Sequence, residues 1–330
     1  MMILTKVVLV MMISLVLSIM TGIVLVPILK KFKINQNLSE YLSKEHRSKQ
    51  GTPTMGGLIF IIPTIFVMIL MYLFGKIAIN TTLLIVLITF IFYSIIGLVD
   101  DYLIIKRHNN KGLSEKSKFI MQVIVAIVFF YLFMKSGNEP LLWIHTVGLK
   151  LDIGFLYGLI ILAVLVSSSN AVNITDGLDG LAGSLSLIAF ITLGIISYST
   201  GWLEGYEEVS LFCFSLVGSL IGFLIFNLNP AKVFMGDTGS LALGAAMGAI
   251  AILTRHEVLL ILIGIVFVIE TLTCIIQRIY YKFTKKRFFL MTPIHHTFEK
   301  KGYNEREIVK LFCLVSLLAS MIAIIFGVIL

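Results

Sequence analysis

The sequence predicts an all-α, polytopic integral membrane protein, formed by a single domain over residues 1–330. Of its 330 residues, 58% are hydrophobic and only 13% are charged, whereas soluble domains carry about 25% charged residues. The mean hydropathy is +1.02. The chain also contains repeated apolar runs of about 17–25 residues, each long enough to cross a bilayer as a helix. We therefore expect about ten transmembrane helices, with the polar motifs in the breaks between them.

Polar or Gly/Pro-rich breaks separate the apolar runs along the chain. The predicted spans cover residues about 5–29, 56–74, 77–99, 118–134, 153–169, 181–199, 209–228, 239–254, 257–281 and 308–329. The first run contains one lysine and has no small-x-small cleavage site after a short apolar core. We expect it to be a retained helix rather than a signal peptide.

The distribution of lysine and arginine predicts the orientation of the chain. Alternate loops on one side contain 21 of the 26 basic residues, and cytoplasmic loops carry such an excess. These loops cover residues 30–55, 100–118, 167–180, 228–238 and 278–310. Ten spans then place both termini outside the cytoplasm. The cytoplasmic face is expected to attract anionic lipid headgroups and phosphorylated substrates.

Five of the six aspartates fall in these cytoplasmic loops. A carboxylate at the end of a membrane helix is costly without a partner, and we expect Mg²⁺ with a phosphate substrate as that partner. Asp100 and Asp101, at the end of the third span, repel each other unless a cation or proton lies between them. The pair therefore favours metal binding or acid–base chemistry over a solvated helix end. Lys116 and Lys118 can hold phosphate, although a role in topology is an equal alternative for both.

The loop at 167–180 contains the most specific polar pattern. Asn170, Asn173, Asp176 and Asp179 recur every three residues, which lines them along one face of a helical turn. Amides suit the recognition of a base or sugar, and carboxylates bind hydroxyl groups or Mg²⁺. This spacing favours a polar ligand site over a purely structural cluster.

A further aspartate, Asp237, stands at the start of the eighth span. It can act as a helix N-cap, or it can hold an Mg²⁺-phosphate at the helix N-terminus. Phe234, just before it, can stack on a nucleobase or anchor the loop in the membrane interface. Both interpretations remain open for each residue.

Two other loops give weaker signals. Lys49 precedes the turn at 51–57, which indicates either a capped helix start or a loop that contacts phosphate. The adjacent His295 and His296 can donate to phosphate or relay a proton. Only one acid lies near them and no cysteine does, so we do not expect a zinc site.

Five motifs resemble, in chain order, those of the phospho-N-acetylmuramoyl-pentapeptide transferases. They are GTPTMGG, DDY, NAVNITDGLDGL, FMGDTGS and PIHH. These bacterial cell-wall enzymes belong to the polyprenyl-phosphate N-acetylhexosamine-1-phosphate transferase superfamily. The resemblance extends from about residue 20 to residue 310. It implies an Mg²⁺-dependent transferase of the bacterial inner membrane that moves phospho-N-acetylmuramoyl-pentapeptide from its UDP carrier to undecaprenyl phosphate. The products would be UMP and lipid I, the first lipid-linked peptidoglycan precursor.

The resemblance also implies roles for individual residues. Asp100, Asp101 and His296 would be catalytic, and Asp237 would be a catalytic Mg²⁺ ligand with Asp100 and Asp101 beside it. The residues expected to bind the UDP-linked substrate are Lys49, Lys116, Asn170, Asn173, Asp176, Asp179, Asn227, Phe234 and His295. The family commonly has three consecutive histidines, and the third place here is Thr297. A mechanism that needs an imidazole at this place cannot operate in this chain.

Chemistry refines the expectation for Asp100. The nucleophile would be an oxygen of the lipid phosphate, and a phosphate monoester with a second pKa of about 6 is already mostly ionised at neutral pH. Asp100 is therefore expected to contribute more by positioning this phosphate than by removing a proton.

Two alternatives remain at this level. A sister enzyme would transfer phospho-N-acetylglucosamine or another hexosamine with the same aspartate motifs. A transporter of lipids or nucleotide sugars would use Gln122 and Glu270 to line a path, although we interpret both as hydrogen-bonding residues in helix packing.

The lipid bilayer is an expected partner and nucleic acid is not, because the basic residues are spread over loops without a stacking platform. The oligomeric state is open, with a homodimer as one option.

Overall fold

The computed structural model describes residues 3–32, 51–107, 112–144 and 148–329. These residues form twelve α-helices and one short antiparallel hairpin. The helices are α1 (Ile3–Lys31), α2 (Leu58–Leu73), α3 (Thr81–Arg107), α4 (Glu115–Lys135), α5 (Tyr157–Thr175), α6 (Leu181–Ser199), α7 (Tyr206–Asn227), α8 (Gly236–Leu253), α9 (Leu259–Ile263), α10 (Ile265–Thr284), α11 (Ile294–Lys300) and α12 (Glu305–Ile324). In the hairpin, β1 (Leu141–Ile144) pairs with β2 (Leu149–Asp152) so that Leu141 lies opposite Asp152.

The fold class predicted from the sequence is confirmed. Within the described residues, eight helices are long and apolar enough to cross a membrane. The predicted span at 56–74 corresponds to α2, which has 16 residues. The predicted span at 257–281 is divided into α9 and α10, because the chain departs from helical geometry at Gly264. The number of crossings and the location of the termini stay predictions.

Two central helices, α7 and α8, organise the bundle. Helix α7 packs against α1 and α6, and α8 packs against α3 and α5. Most of α7 and α8 is buried, whereas α1, α4 and α12 bury only a minor part of their surface. Helix α8 consists largely of glycine, alanine and other small residues, and small residues let membrane helices approach closely. Exposed side chains such as Leu4, Met12 and Met20 on α1 suit contact with lipid.

The contact between α1 and α7 combines small residues with buried hydroxyl groups. Ser14 and Ser215 form a hydrogen bond of 2.8 Å, and Ser18 donates to the carbonyl of Ser219 at 2.7 Å. In an apolar surrounding, hydroxyl groups stabilise helix pairs only when they find such partners. These bonds fix how α1 lies against the central helices.

The predicted cytoplasmic loops meet at one end of the bundle. The segment before α2 pairs with the segment before α8 through Gly56 N to Phe234 O (2.8 Å) and Phe234 N to Pro53 O (2.8 Å). At the opposite end, Arg255 donates to the carbonyls of Leu141 (2.8 Å) and Glu139 (2.6 Å) beside the hairpin. The grouping of the aspartate motifs at one end agrees with the charge pattern of the sequence.

Close packing of α3 on the start of α8 depends on a glycine. A Cβ atom at Gly97 would lie 2.0 Å from the carbonyl oxygen of Asp237 and 2.5 Å from the nitrogen of Thr238. Such a methyl group can only be accommodated if the two helices move apart.

We predict that Gly97→Ala lowers the free energy of unfolding by about 1–3 kcal/mol, as overpacking does in tightly packed cores. The measurement is thermal unfolding of the purified protein in detergent. Gly201→Ala is the control, since no described heavy atom lies within 4 Å of the added Cβ. Equal melting temperatures for the two variants would contradict the proposed contact.

Candidate active site

Asp237, in the first turn of α8, is the centre of a polar cluster. Its Oδ1 accepts a hydrogen bond from the side-chain amide of Asn173 (2.7 Å), at the end of α5. Its Oδ2 accepts one from Nζ of Lys118 (2.7 Å), in the first turn of α4. Lys118 also lies 3.3 Å from Oδ1 of Asp100, which is inside α3, about two turns before its end at Arg107. Four helices thus bring two carboxylates, an amide and an ammonium group together.

Asp101 binds the N-terminus of α8. Its Oδ1 accepts from the backbone nitrogen of Asp237 (3.1 Å), and its Oδ2 accepts from the nitrogen (3.0 Å) and hydroxyl (2.6 Å) of Thr238. The first N–H groups of a helix lack partners within the helix and carry a partial positive charge, so a carboxylate stabilises them. Gly236 has φ +73, and a Cβ there would lie 2.5 Å from Oδ2 of Asp101. Only glycine fits at this point of the chain.

The neighbouring Asp100 has different surroundings although both side chains are buried. Its Oδ1 accepts from the backbone nitrogen of Leu113 (2.8 Å). This bond draws the segment before α4 over the site and brings Lys118 near the carboxylates. The adjacent carboxylates therefore differ in their contacts: Asp101 holds a helix, and Asp100 faces a cation.

The sequence analysis named both Lys116 and Lys118 as possible phosphate contacts, and the resemblance assigned only Lys116 to substrate binding. In the structure Lys116 is exposed, while Lys118 contacts both carboxylates. Ser114 caps α4 by accepting from the nitrogen of Ser117 (3.1 Å). Recognising this cap would have placed Lys118 one turn inside the helix, and helical side chains lean back towards the N-terminus.

The asparagines and aspartates spaced by three residues separate into two groups. Asn173 binds Asp237 and also donates to the hydroxyl of Ser240 (2.9 Å). Asn170 donates to the carbonyl of Val166 (2.8 Å) within its own helix. Asp176 follows α5 directly. Burial, with the nearby charges of Asp237, Asp101 and Asp179, raises the pKa of Asp176 to about 7. Asn173 and Asp176 thus belong to the cluster around Asp237.

Asp179 and Asn227 instead connect the loops beside the cluster. Asp179 accepts from the nitrogen of Ala231 (3.0 Å) and from the amide of Asn229 (3.2 Å). Asn227 accepts from the nitrogen of Gly180 (3.2 Å) and donates to the carbonyl of Val233 (3.0 Å). These bonds hold the segment before α8 against the turn after α5. Their part in substrate binding stays a prediction.

The remaining predicted residues surround this cluster. Phe234 is half-buried in the segment before α8. His296 is half-buried, with Nδ1 2.5 Å from Oε2 of Glu299. His295 is fully buried, 3.1 Å from the carboxylate of Glu270. Lys49 lies outside the described residues.

The donor set around Asp237 fits Mg²⁺. In the described part of the chain, no three His, Cys, Asp or Glu side chains form a group that could hold a metal ion. Mg²⁺ usually binds one or two carboxylates and completes its octahedral shell with water and substrate phosphates. Asp237 and Asp100 provide two carboxylates around one cation, Lys118. Both oxygens of Asp101 already accept hydrogen bonds, so its predicted role as a metal ligand has the weakest geometric support.

An apolar groove reaches towards the polar cluster between α5 and α10. Its volume is about 420 Å³, and its lining includes Val164, Val172, Val268, Thr271 and Ile275. A second cavity of about 840 Å³ shares Thr271 and Ile275 with the groove. This cavity extends to Ile174, two residues before Asp176. An elongated apolar ligand in the groove would end close to the carboxylates.

Comparisons with known proteins assign this arrangement to a family. The model of glycosyl transferase family 4 matches residues 83–255, and a phospho-N-acetylmuramoyl-pentapeptide-transferase signature matches residues 49–61. The phospho-N-acetylmuramoyl-pentapeptide-transferase of Geobacillus sp. strain WCH70 is 42% identical over 96% of the chain and 97% of the relative. The one from Halalkalibacterium halodurans is 42% identical over 94% of each. The one from Staphylococcus epidermidis is 44% identical over 92% of the chain and 94% of the relative.

The different contacts of the adjacent aspartates lead to a stability prediction. Asp101→Asn should lower the free energy of unfolding by about 1–3 kcal/mol, because a buried carboxylate that accepts three hydrogen bonds at a helix N-terminus is lost. Asp100→Asn should leave stability unchanged or raise it, because it relieves repulsion with Asp237 and keeps an acceptor for Leu113. Thermal unfolding in detergent measures the stability of both variants. If Asp100→Asn is the less stable variant, the assignment of the two roles is wrong.

Proposed function

Since the chain belongs to the phospho-N-acetylmuramoyl-pentapeptide-transferase family, we propose that the cluster around Asp237 is its catalytic centre. The enzyme transfers phospho-N-acetylmuramoyl-pentapeptide from UDP-N-acetylmuramoyl-pentapeptide to a polyprenyl phosphate in the membrane. The products are UMP and lipid I, a precursor of peptidoglycan. The observation that carries the site assignment is that Asp237, in the first turn of α8, binds both Asn173 and Lys118, so that an amide and a positive charge able to stabilise phosphate lie beside a carboxylate.

The acceptor in this proposal is undecaprenyl phosphate, and the enzyme is a multi-pass protein of the bacterial inner membrane. The groove between α5 and α10 is the proposed path of the isoprenoid chain, because it is lined mainly by apolar side chains and leads towards Ile174. A lipid lying in this groove would present its phosphate near the carboxylates. A homodimer remains a proposal for which the single chain offers no further support.

The proposed cofactor is Mg²⁺, held by Asp237 and Asp100. When bound, Mg²⁺ would neutralise negative charge on the diphosphate of the donor and on the leaving UMP. Asp101 supports this site indirectly by fixing the first turn of α8. A set of two carboxylates leaves coordination positions for substrate oxygens, as is common for Mg²⁺ in phosphoryl transfer.

The side chains themselves account for binding and orientation. Lys118 places a positive charge next to Asp100 and Asp237, where it can stabilise charge on the transferred phosphate. Asp100 orients the phosphate of the acceptor, whose oxygen attacks the β-phosphorus of the donor. His296, near Glu299, is placed to donate to a phosphate oxygen.

Further residues are proposed to recognise the uridine nucleotide. Asn173 and Asp176 provide an amide and a carboxylate beside the phosphate site, and Phe234 provides a ring on which a base can stack. Lys116 and Lys49 are assigned to the outer phosphates or the sugar.

The function is tested by UMP release from UDP-N-acetylmuramoyl-pentapeptide and undecaprenyl phosphate in detergent, with and without Mg²⁺. We expect release to require both substrates and the metal. Asp237→Ala should lower kcat by at least about 10³-fold, since the residue holds the charge-stabilising group.

Asp152→Ala is the control for this assay. Asp152 is the one aspartate outside the five motif loops and lies in β2. Full activity without Mg²⁺ would contradict the assignment of the site, and so would an equal loss of kcat in Asp237→Ala and Asp152→Ala. Release only with UDP-N-acetylglucosamine as donor would contradict the substrate.

A second prediction concerns Lys118, the lysine that contacts both carboxylates. Lys118→Met should lower kcat by about 10²-fold or more, because it removes the positive charge nearest the reacting phosphates. Lys116→Met should have a smaller effect, because this side chain is exposed. Lys135→Met, at the other end of α4, is the control. Steady-state kinetics measure kcat for the three variants. A larger loss of kcat for Lys116→Met than for Lys118→Met would refute the assignment.

A further inference from the structure

A buried acid–imidazole pair lies beside the proposed catalytic centre and has no role in the mechanism so far. Glu270 is in the second turn of α10, and His295 is in the first turn of α11. Both side chains are at most 1% exposed, and Nδ1 of His295 lies 3.1 Å from Oε1 of Glu270. The backbone nitrogen of His295 also lies 3.5 Å from Oε2 of Glu270. Glu270 therefore faces both the ring and the main chain of His295.

The other edge of the His295 ring lies against the turn that follows α5. A Cβ atom at Gly177 would be 2.4 Å from Nε2 and 2.8 Å from Cε1 of His295. The ring thus touches the main chain immediately after Asp176. On its other side, the ring centroid of His295 is 4.2 Å from that of His296. One imidazole is thus in contact with His296, with the main chain next to Asp176 and with the acid on α10.

Elementary electrostatics explains why the pair matters. A carboxylic acid within a membrane protein is costly without a partner, and such a residue commonly marks a functional site. A carboxylate next to an imidazole fixes the ring orientation and favours the proton on the nearer nitrogen. Nδ1 faces Oε1 of Glu270 at 3.1 Å, and Nε2 faces Gly177. Within the described residues neither ring nitrogen of His295, nor Oε1 of Glu270, forms a hydrogen bond of good geometry, so the pair is held by charge and close contact, and Nε2 is open to the turn that carries Asp176.

The short helix α11 is held from a second direction by Thr297. Its hydroxyl is 2.5 Å from the carbonyl of Met291 and 3.2 Å from the nitrogen of the same residue. Thr297 occupies the place where the family commonly has a third histidine. Here this residue closes the loop before α11, so Glu270 and Thr297 together determine the position of the helix that carries His296.

We propose that Glu270 is a positioning residue of this enzyme. Through His295, it holds α11 against the 175–181 turn and thereby fixes His296 relative to Asp176. The inference rests on the proposed function only because that proposal assigns His296 and Asp176 to the reaction. A role limited to packing would predict that an isosteric neutral side chain at residue 270 preserves both the local order and the turnover.

The first test is local order, which does not depend on activity. Amide hydrogen exchange of the full-length protein in detergent is followed by mass spectrometry for wild type, Glu270→Gln, His295→Gln and the double variant. We expect peptides covering residues 291–300 to exchange at least about tenfold faster in each variant, because the contact that holds α11 is weakened. Peptides from α7 and α8 should exchange as in wild type. Unchanged exchange at 291–300 in Glu270→Gln would overturn the proposal.

The second test separates positioning from general packing by kinetics. Loss of the residue that orients a functional histidine commonly lowers affinity or activity by about 10–100-fold. We expect kcat of Glu270→Gln to fall by about that factor. KM for the donor should change less than about threefold, because the groups that bind the nucleotide remain in place. If Glu270 acts through His295, the double variant should lose no more than the worse single variant. If the kcat losses of the two single variants instead multiply in the double variant, the proposal is overturned.

Thr273→Val is the matched control, because it removes another buried hydrogen-bonding group one turn further along α10. It should match wild type in kcat and in exchange at 291–300, and a loss equal to that of Glu270→Gln would indicate packing alone. If Glu270→Gln does not fold, the same measurements on His295→Gln decide. If wild type releases no UMP, the proposed function fails while the exchange experiment still tests the coupling.

Discussion

The rest of the site depends on the attachment of the α8 N-terminus to Asp101. Three hydrogen bonds from Asp237 and Thr238 end on this one buried carboxylate. They satisfy N–H groups that the helix itself cannot satisfy, in a region where water is scarce. With the first turn of α8 fixed in this way, the side chain of Asp237 faces Asn173 and Lys118. The close approach is permitted by the absence of side chains at Gly97 and Gly236.

This attachment divides two adjacent, chemically identical residues into different roles. Successive residues of a helix point about 100° apart, so Asp100 and Asp101, in the last third of α3, face different neighbours. Asp101 faces a helix N-terminus whose partial positive charge compensates its own. Asp100 faces Lys118 and the backbone of Leu113. The repulsion expected between adjacent carboxylates is therefore relieved by two different positive groups.

The sequence predicted the fold class, the grouping of the polar loops and most residues of the cluster around Asp237, because these depend on composition and local spacing. It could not separate residues whose contacts depend on tertiary neighbours. Asp176 and Asp179 follow the same three-residue pattern, but the helix ends between Asn173 and Asp176, and Asp179 turns towards Ala231. Lys116 and Lys118 could not be ranked from the sequence, because the start of α4 decides which lysine reaches the carboxylates. Glu270 was interpreted as a packing residue because its partner, His295, is 25 positions away in the chain.

Under the proposed function, the charge balance of the cluster calls for a cation besides Lys118. Asp100 and Asp237 carry two negative charges when ionised, and Lys118 carries one positive charge. A donor diphosphate and an acceptor phosphate would add several negative charges in a partly buried space, where repulsion between like charges is stronger than in water. Lys118 alone would not balance them, whereas a divalent ion held by Asp237 and Asp100 would add the missing positive charge. Because Lys118 already contacts both carboxylates, the charge that keeps the cluster ordered would also be available to the phosphates of the substrates.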